Sequence, residues 1–370
     1  MAFKVVITMY NRTPSDLTLD VIRDAGMEVE WVACTTENEV IAAAKDADVL
    51  MVGTVPHTTR KVLEALPNLK MVGRSGVGVD SVDLEAATEL GICVTNTPGI
   101  GSNEVADHAM ALLLSITRKI PEQIAALKAG AWSDRPQELV PLREQLLRIA
   151  GNTVGIFGFG NIGRAFATRA RGFGPAKIIA CDPYVHQTAA DVFGVQMVDF
   201  DTLLAESDYL TVHSPATAET NHIFNIDAFR KMKPTAVFIN CARGPIVDEA
   251  GLQEALQTDE IVAAGIDVTE IEPLDAESPL FNLENLSITP HVAGGSDVTT
   301  TTAARQWGEN AVNILAGKPL RGLGNPEVVK RIAVMRAQGA SRWDGIPDPV
   351  TEAWSKYPAC AHRGRAVYRR

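Results

Sequence analysis

Several features that identify other classes of protein are scarce or absent in this chain of 370 residues. Its few cysteines are scattered, odd in number and without a CxxC pair, which argues against a disulfide framework and a cysteine-based zinc site. No apolar run reaches membrane-spanning length, and MAFKVVITMY begins a strand-like pattern rather than a cleavable signal. We therefore expect a reduced, cytoplasmic protein with no bound metal and no membrane partner. The five cysteines are Cys34, Cys93, Cys181, Cys241 and Cys360.

Basic residues are also fewer than acidic ones, since the chain has 34 Lys and Arg and 45 Asp and Glu, which gives a formal net charge of -11. A nucleic-acid-binding surface normally presents a basic face, so nucleic acid is not an expected partner. The length, with 46% hydrophobic and 21% charged residues, is that of a folded chain with two domains. The expected partner is a small molecule.

Short β-branched stretches alternate with amphipathic helical stretches along most of the chain. Five such stretches, from KVVITM to ICVTN, form a first series, and six more, from TVGIFG to LSITPH, form a second. This alternation predicts βαβ units and parallel sheets, hence an α/β protein with two doubly wound domains. Between the two series, a long helix is predicted from about Ser102 to Arg118, with Ser102 or Asn103 as its N-cap.

The stretch TVGIFGFGNIGRAFA carries Gly158, Gly160 and Gly163 after an apolar strand and at the start of a helix. A GxGxxG pattern alone also suits a purely structural turn, but Asp182 follows Gly163 by 19 positions, at the end of KIIACD. In a dinucleotide site the glycines let the backbone approach the pyrophosphate at a helix N-terminus, and such an acid accepts from the ribose hydroxyls. The sequence therefore predicts an NAD(H) site, because the acid would repel the 2′-phosphate of NADP(H).

Polar side chains follow three of the predicted strands. Arg243 stands at the end of the apolar run in FINCARGPIVDE, where the plain interpretation is a solvated surface residue, and His291 follows LSITP before paired glycines. Beside a nicotinamide cofactor, an arginine can hold and polarise a 2-oxo acid, and a histidine can deliver the proton. A carboxylate would orient that histidine. Asp267, Glu270 and Glu272 in GIDVTEIEPL are three candidates that spacing alone does not separate.

The motifs GRSGVGVDSVDLEAA, GFGNIG, VHSP, NCARGPIVDE, DVTEIEP and TPHVAGG occur in this order along the chain. In order and spacing they resemble the D-isomer-specific 2-hydroxyacid dehydrogenases, with features of phosphoglycerate dehydrogenases and of hydroxypyruvate or glyoxylate reductases, from about residue 4 to about residue 327. The resemblance implies hydride transfer between NAD(H) and a 2-oxo or D-2-hydroxy acid. It also implies that Arg243 orients the substrate, that His291 is the general acid and base, and that Glu272 is the partner of the histidine.

The same resemblance implies which other residues contact the ligands. Backbone N–H groups of Val77 and Gly78 would bind the substrate carboxylate, beside Arg243 and His291. The cofactor would contact the glycine-rich turn and several loops that follow strands. Its expected contacts are Val77, Gly158, Gly160, Asn161, Ile162, Gly163, Asp182, Ser214, Cys241, Ala242, Arg243, Asp267, His291 and Gly294.

The resemblance further implies a discontinuous architecture. Residues 1–99 and 296–330 would form a flavodoxin-like substrate-binding domain, into which a Rossmann-type NAD-binding domain of residues 100–295 is inserted, with the active site in the cleft. The apolar helix from about Ser102 to Arg118 would be buried core and part of a homodimer interface. Residues 331–370 form a C-terminal extension of unknown role, which contains eight Lys or Arg and three Asp or Glu. It either packs on the acidic remainder of the protein or acts as a lid or an oligomer contact.

Two departures from the family pattern bear on function. Relatives that take phosphorylated substrates carry an arginine near the end of the third strand, where this chain has Gly53 in MVGTVP. The usual glutamate before the histidine of the long helix is Asp107 here. An alternative class, the NAD(H)-sensing scaffolds that resemble transcriptional corepressors, uses the same fold. This chain has no evident peptide-docking extension or nuclear-type basic cluster, so an enzyme is the favoured interpretation.

Overall fold

The computed structural model describes residues 3–10, 13–339 and 342–347. They divide into two compact units. The first unit contains the described residues up to Ile100 together with those from Ser296 onward, and the second unit is Gly101–Gly295. Both units are parallel α/β structures, so the predicted fold class is confirmed.

Twelve strands are present in the described residues, and every pairing between named strands is parallel. Eleven of them coincide with the stretches predicted from the sequence. The twelfth, β8, has only two residues and too short a pattern to be recognised. The strands are β1 Lys4–Ile7, β2 Glu28–Trp31, β3 Val49–Val52, β4 Met71–Arg74, β5 Cys93–Thr95, β6 Thr153–Phe157, β7 Lys177–Cys181, β8 Gln196–Met197, β9 Tyr209–Val212, β10 Val237–Asn240, β11 Ala263–Ile266 and β12 Leu286–Ile288.

Fourteen α-helices connect the strands in the described part of the chain, and none of these is long and apolar enough to cross a membrane. They are α1 Asp16–Asp24, α2 Glu37–Ala43, α3 Arg60–Glu64, α4 Leu84–Glu89, α5 Ser102–Arg118, α6 Ile120–Lys128, α7 Val140–Glu144, α8 Asn161–Arg171, α9 Gln187–Asp191, α10 Phe200–Glu206, α11 Ile226–Arg230, α12 Glu249–Gln257, α13 Asp297–Leu315 and α14 Val328–Ala337.

The strand orders of the two sheets decide where ligands can bind. The sheet of the first unit runs β2-β1-β3-β4-β5, which is the flavodoxin-like order. The sheet of the second unit runs β12-β11-β10-β9-β6-β7-β8, which is the Rossmann order with one further strand. Its first strand, β6, lies between β7 and β9, so the strand order reverses there. Ligands of such sheets bind beyond the carboxyl ends of the strands at this reversal.

The long helix α5 has the predicted bounds, but its N-cap differs from the prediction. The capping position is Gly101, in the left-handed region with φ 89°, and no side chain caps the helix. Ser102 is instead the first helical residue, so the proposed Ser102 or Asn103 cap is wrong. The apolar face of α5 is buried in the core of the second unit, as expected from its apolar sequence. The buried residues include Ala106, Ala109, Met110, Leu113 and Ile116.

The described part of the C-terminal extension belongs to the first unit. Trp343 is only 1% exposed, lies in the same apolar cluster as strand β1, and donates its indole N–H to the carbonyl of Gly91 at 2.9 Å. Arg342 donates to the carbonyl of Leu69 at 2.6 Å. Residues 331–347 are thus packed on their own unit wherever they are described, whereas the rest of the predicted extension, 348–370, lies outside the described residues.

Candidate active site

The glycine-rich turn joins β6 to α8 at the centre of the second sheet. Gly158 has a φ of 90°, and a Cβ there would lie 2.7 Å from the carbonyl carbon of His213 and from the amide nitrogen of Ser214. A Cβ on Gly163 would lie 2.2 Å from the carbonyl oxygen of Gly158. Glycine is therefore required at both positions, one for the turn beside β9 and the other for the close approach of helix to strand.

Gly160 differs from the other two glycines because no atom lies within 4 Å of a Cβ built there. It is the N-cap of the eleven-residue helix α8, and no side chain caps the first turn. The N–H groups of Asn161 and Ile162, at the start of the helix, have no acceptor within the helix itself. Open space beside uncapped N–H groups and a positive helix end is an arrangement that binds a phosphate anion.

Asp182 follows β7 and is fixed beside the same turn. Its carboxylate accepts the N–H of Phe159 at 2.8 Å and the N–H of Tyr184 at 2.9 Å. The group is only partly buried, and a carboxylate has further capacity to accept hydrogen bonds. Asp182 is therefore fixed beside the glycine-rich turn with accepting capacity to spare, and its contact with the cofactor ribose stays a prediction from the sequence.

His291 and Glu272 form a hydrogen-bonded pair in the loops that follow β12 and β11. Nδ1 of the histidine lies 2.6 Å from Oε2 of the glutamate, and the two side chains are 35% and 30% exposed. This contact leaves the other ring nitrogen, Nε2, for a ligand. Sequence spacing did not choose among three acids, but the structure selects Glu272. Glu270 instead lies 3.1 Å from Nε2 of a second histidine, His222.

Asp267, the third acid, is 1% exposed and organises the backbone of the loop that carries His291. Its carboxylate accepts the hydroxyl of Thr289 at 2.6 Å and the N–H groups of Val292 and Ala293 at 3.0 and 2.8 Å. Its carbonyl oxygen accepts the N–H of His291 at 2.8 Å. The sequence predicted Asp267 as a cofactor contact and missed this role in holding the loop.

Arg243 lies in a tight turn after β10, followed by the short 3-10 helix Gly244–Ile246. The turn is held by Asn240, which is 1% exposed. Its amide oxygen accepts the N–H of Ala242 and its amide N–H donates to the carbonyl of Arg243, both at 3.0 Å. A Cβ on Gly244 would lie 1.9 Å from the carbonyl oxygen of Thr269. The Arg243 turn is therefore packed directly against the loop that carries Glu272.

The remaining predicted cofactor contacts in this unit lie in loops that follow strands of the same sheet. Ser214 follows β9 and donates its hydroxyl to the carbonyl of Pro215 at 3.3 Å. Cys241 and Ala242 follow the neighbouring strand β10 and are buried. Burial, with a smaller effect of Asp267, raises the pKa of the Cys241 thiol, which makes it a neutral packing group rather than a nucleophile.

The first unit contributes a separate loop after β4. Gly76 has a φ of 135°, and its carbonyl accepts the N–H of Thr97 at 2.9 Å. The carbonyl of Val77 accepts the side-chain amide of Asn96. Among the described residues, the N–H groups of Val77 and Gly78 have no acceptor. Two successive backbone donors without a protein partner form an arrangement that suits an anionic ligand.

A dinucleotide-binding α/β protein is defined by a strand, a glycine-rich turn, a helix and an acid after the next strand. Here all four lie where the strand order of a Rossmann sheet reverses. Comparison with known proteins agrees and is more specific. Residues 110–293 match the family model described as D-isomer specific 2-hydroxyacid dehydrogenase, NAD binding domain. The chain belongs to the D-isomer specific 2-hydroxyacid dehydrogenase family. The matched residues lie within the second unit, and NAD is the cofactor.

Individual relatives support the same assignment. A glyoxylate reductase of Korarchaeum cryptofilum is 37% identical over 291 residues, which cover 79% of this chain and 86% of that protein. A D-3-phosphoglycerate dehydrogenase of Archaeoglobus fulgidus is 38% identical over 311 residues, covering 84% of this chain but only 58% of the relative. The chain thus spans little more than half the length of the phosphoglycerate dehydrogenases it matches. The crystal structure of TT0316 protein from Thermus thermophilus has 34% identity and a TM-score of 0.76, covering 85% of this chain and 97% of that one.

Proposed function

We propose that this protein is an NAD-dependent oxidoreductase that interconverts a 2-oxo acid and a D-2-hydroxy acid. The observation that carries the proposal is the His291–Glu272 pair, with a contact of 2.6 Å, in the same unit as the glycine-rich turn. The turn that bears Arg243 packs against the loop of that pair, because Gly244 approaches Thr269 closely. A proton donor, its orienting carboxylate and a fixed cation are the protein groups that this reaction needs.

Each group has a defined role in this proposal. When bound, NADH supplies the hydride that reduces the substrate at C2, and NAD accepts it in the reverse direction. Glu272 holds the Nδ1 side of His291, so that Nε2 faces the substrate and gives a proton to the carbonyl oxygen during reduction. In the oxidative direction Nε2 takes the hydroxyl proton. Arg243 holds the carbonyl and carboxylate side through its fixed pair of N–H donors.

We assign the remaining binding groups on the same basis. The first unit, proposed as the substrate-binding domain of residues 1–99 and 296–330, would supply the N–H groups of Val77 and Gly78 to the substrate carboxylate. Residues 100–295 would bind the cofactor, with the phosphates at the α8 N-terminus and the ribose at Asp182. The four described cysteines are free and buried, which suits a reducing compartment, and we propose the cytoplasm.

The loops of the first unit favour a substrate without a phosphate group. Strands β3 and β4 pair side by side, so the loop after β3 is the neighbour of the Val77 loop. Residues 53–59 of that loop contain no Lys or Arg, and Gly53 stands where phosphate-binding relatives are expected to have arginine. A phosphate dianion requires a cation or several donors to replace its hydration. We propose glyoxylate, hydroxypyruvate or a similar small 2-oxo acid as the substrate class.

The initial rate of NADH oxidation with a panel of 2-oxo acids tests this function. We expect turnover of a small unphosphorylated acid, slower turnover with NADPH, and a kcat/KM for phosphohydroxypyruvate at least about tenfold below that for hydroxypyruvate. The variant Gly53→Arg should raise the kcat/KM for phosphohydroxypyruvate relative to that for hydroxypyruvate. The larger side chain can be accommodated, because a Cβ at this position lies an ordinary 3.6 Å from the Met9 side chain. Tight NADH binding without any turnover would contradict the enzyme and favour an NAD(H)-sensing scaffold.

We further propose that the protein is a homodimer. Helix α6 presents Ile120, Ile124 and Leu127 to solvent at 45%, 49% and 41% exposure, and Trp132 beyond it is 71% exposed. These residues form the α6 patch, and the helical spacing of four and three places the three helix residues on one face. A patch of large exposed apolar side chains marks an interaction surface. A second copy is the occupant we propose, since the predicted interface helix α5 is buried in the core and is separated from α6 by a single residue, Lys119.

Sedimentation velocity tests the dimer. The wild type should sediment as a dimer, and the double variant Ile124→Glu/Trp132→Glu should sediment as a monomer because two charges would be buried without partners. Val192→Glu is the matched control, since Val192 is 79% exposed and lies outside the α6 patch. A dimer that survives the double change with its mass unaltered would rule out this interface.

A further inference from the structure

We propose that His108 is a positioning residue for catalysis, which acts on His291 through Thr289 and Asp267. This inference rests on the proposed function, because it concerns the loop that carries the proposed acid and base. Nε2 of His108 lies 2.9 Å from the hydroxyl oxygen of Thr289. That oxygen lies 2.6 Å from Oδ1 of Asp267, and the His108 ring nitrogen is 3.6 Å from the same carboxylate oxygen. All four residues belong to the second unit.

The direction of the hydrogen bonds follows from the chemistry of the three groups. Thr289 has one hydroxyl proton, and the carboxylate of Asp267 can only accept, so that proton lies between Thr289 and Asp267. The hydroxyl oxygen must then accept from His108, which requires a proton on Nε2 of that ring. His108 is therefore the donor at the outer end of a chain of two hydrogen bonds that ends on a buried carboxylate.

This chain of bonds matters because of the backbone it supports. His291 has a φ of 52°, in the left-handed region, which costs free energy for a non-glycine residue and persists only where surrounding contacts hold it. Asp267 supplies those contacts, accepting the N–H of His291 with its carbonyl and those of Val292 and Ala293 with its carboxylate. Any rotation of that carboxylate would move the loop.

Thr289 and His108 are the groups that prevent such rotation. Oδ1 of Asp267 bonds both Thr289 and the N–H of Val292, so the Thr289 hydroxyl fixes the orientation of the carboxylate plane. His108 in turn fixes the Thr289 hydroxyl from a rigid helix. Helix α5 lies close to strand β11, since a Cβ on Gly265 would approach Leu112 and Ile116 at 3.3 and 3.0 Å. Asp267 directly follows that strand, so donor and acceptor are held by two packed elements.

Paired substitutions separate a positioning role from a merely structural one. His108→Met and Thr289→Val remove the donor and the hydroxyl at nearly constant volume, whereas His108→Gln and Thr289→Ser keep a donor or a hydroxyl. We expect kcat with the best 2-oxo acid to fall about tenfold in the first two variants, with an unchanged KM for NADH. The conservative variants should recover most of the rate. The double variant His108→Met/Thr289→Val should be no slower than either single one, because both break the same chain.

Hydrogen exchange of the loop amides gives a readout that does not depend on turnover. In His108→Met and Thr289→Val, a peptide containing Val292 and Ala293 should exchange on the order of ten times faster, while the strand β10 peptide keeps its protection. His186→Met makes the same chemical change at an exposed histidine of the second unit that takes no part in this chain of bonds, and as the control it should change neither readout.

The two readouts also separate failure of this inference from failure of the proposed function. A wild type that binds NADH but reduces no 2-oxo acid would remove the function, and the exchange of the loop would still report the chain of bonds. A wild type that turns over, with His108→Met equal to it in kcat and in loop exchange, would overturn the role of His108. So would a loss of stability in His108→Met without any change in either readout.

Discussion

Replacing His291 by asparagine should lower kcat for 2-oxo acid reduction by about 10³-fold and leave NADH binding intact. The imidazole is the only proposed proton donor, and its Nδ1 is already engaged by Glu272 at 2.6 Å. Asparagine is chosen because it tolerates the left-handed backbone at φ 52° better than alanine, so the loss reports the proton transfer rather than strain. Stopped-flow and steady-state rates with the best substrate measure the effect.

A second histidine provides the control for this change. His222 has a φ of 50° and pairs with Glu270 at 3.1 Å, so His222→Asn repeats the same chemical change in a similar setting. We expect its turnover to remain close to that of the wild type. Glu272→Gln should lower the rate less than His291→Asn, because the amide oxygen can still accept a hydrogen bond from Nδ1 while the anionic partner is lost. Near-normal turnover in His291→Asn would refute the assignment.

Replacing Arg243 by alanine should lower kcat/KM for the 2-oxo acid by about 10²- to 10³-fold. The KM for NADH should change little. The side chain is half-buried in a turn fixed by Asn240, so the cation is held in place before substrate arrives. Arg243→Lys should recover only part of the loss, because an ammonium group keeps the charge without the planar pair of donors. Steady-state kinetics with substrate and NADH varied in turn measure the split.

An exposed arginine of the same unit serves as the comparison for Arg243. Arg230 pairs with Asp227 and Glu254 on the surface, and Arg230→Ala should change kinetics little. Full activity of Arg243→Lys would show that charge alone suffices and that the two-point contact with substrate is unnecessary. An equal loss in Arg243→Ala and Arg230→Ala would indicate a general electrostatic effect rather than substrate orientation.

Most of the fold is readable from the sequence because its strands are buried on both faces. Such strands are continuous apolar runs, as in β3 and β10, and are separated by amphipathic helices, so the α/β class follows from alternation alone. The prediction missed β8, whose two residues Gln196 and Met197 form an edge strand without any period. It also gave α5 a side-chain cap where the chain uses Gly101, since local cap preferences do not report the tertiary turn that precedes a helix.

Some residues of the candidate site can likewise be predicted from local sequence, whereas others depend on contacts between distant parts of the chain. The glycines and Asp182 lie within one βαβ unit, so their spacing in the sequence is enough to predict a dinucleotide site. Spacing did not separate Glu272 from Glu270 and Asp267, because all three lie within six positions. The family resemblance pointed to Glu272, and the tertiary structure places that residue beside His291. Asn240 and His108 were missed because their partners are backbone groups or distant residues. A buried asparagine at the end of an apolar strand was the available signal for Asn240.

The division of the first unit between the two ends of the chain determines the order in which the nascent protein can fold. Strand β1 shares its apolar cluster with Trp307 of α13 and with Trp343, both of which are synthesised after the second unit. On the ribosome, the first sheet therefore waits with one face uncovered while the contiguous second unit is completed. A stop codon before Trp343 would release a protein in which the apolar cluster around β1 lacks this side chain and the carbonyl of Gly91 lacks its indole donor.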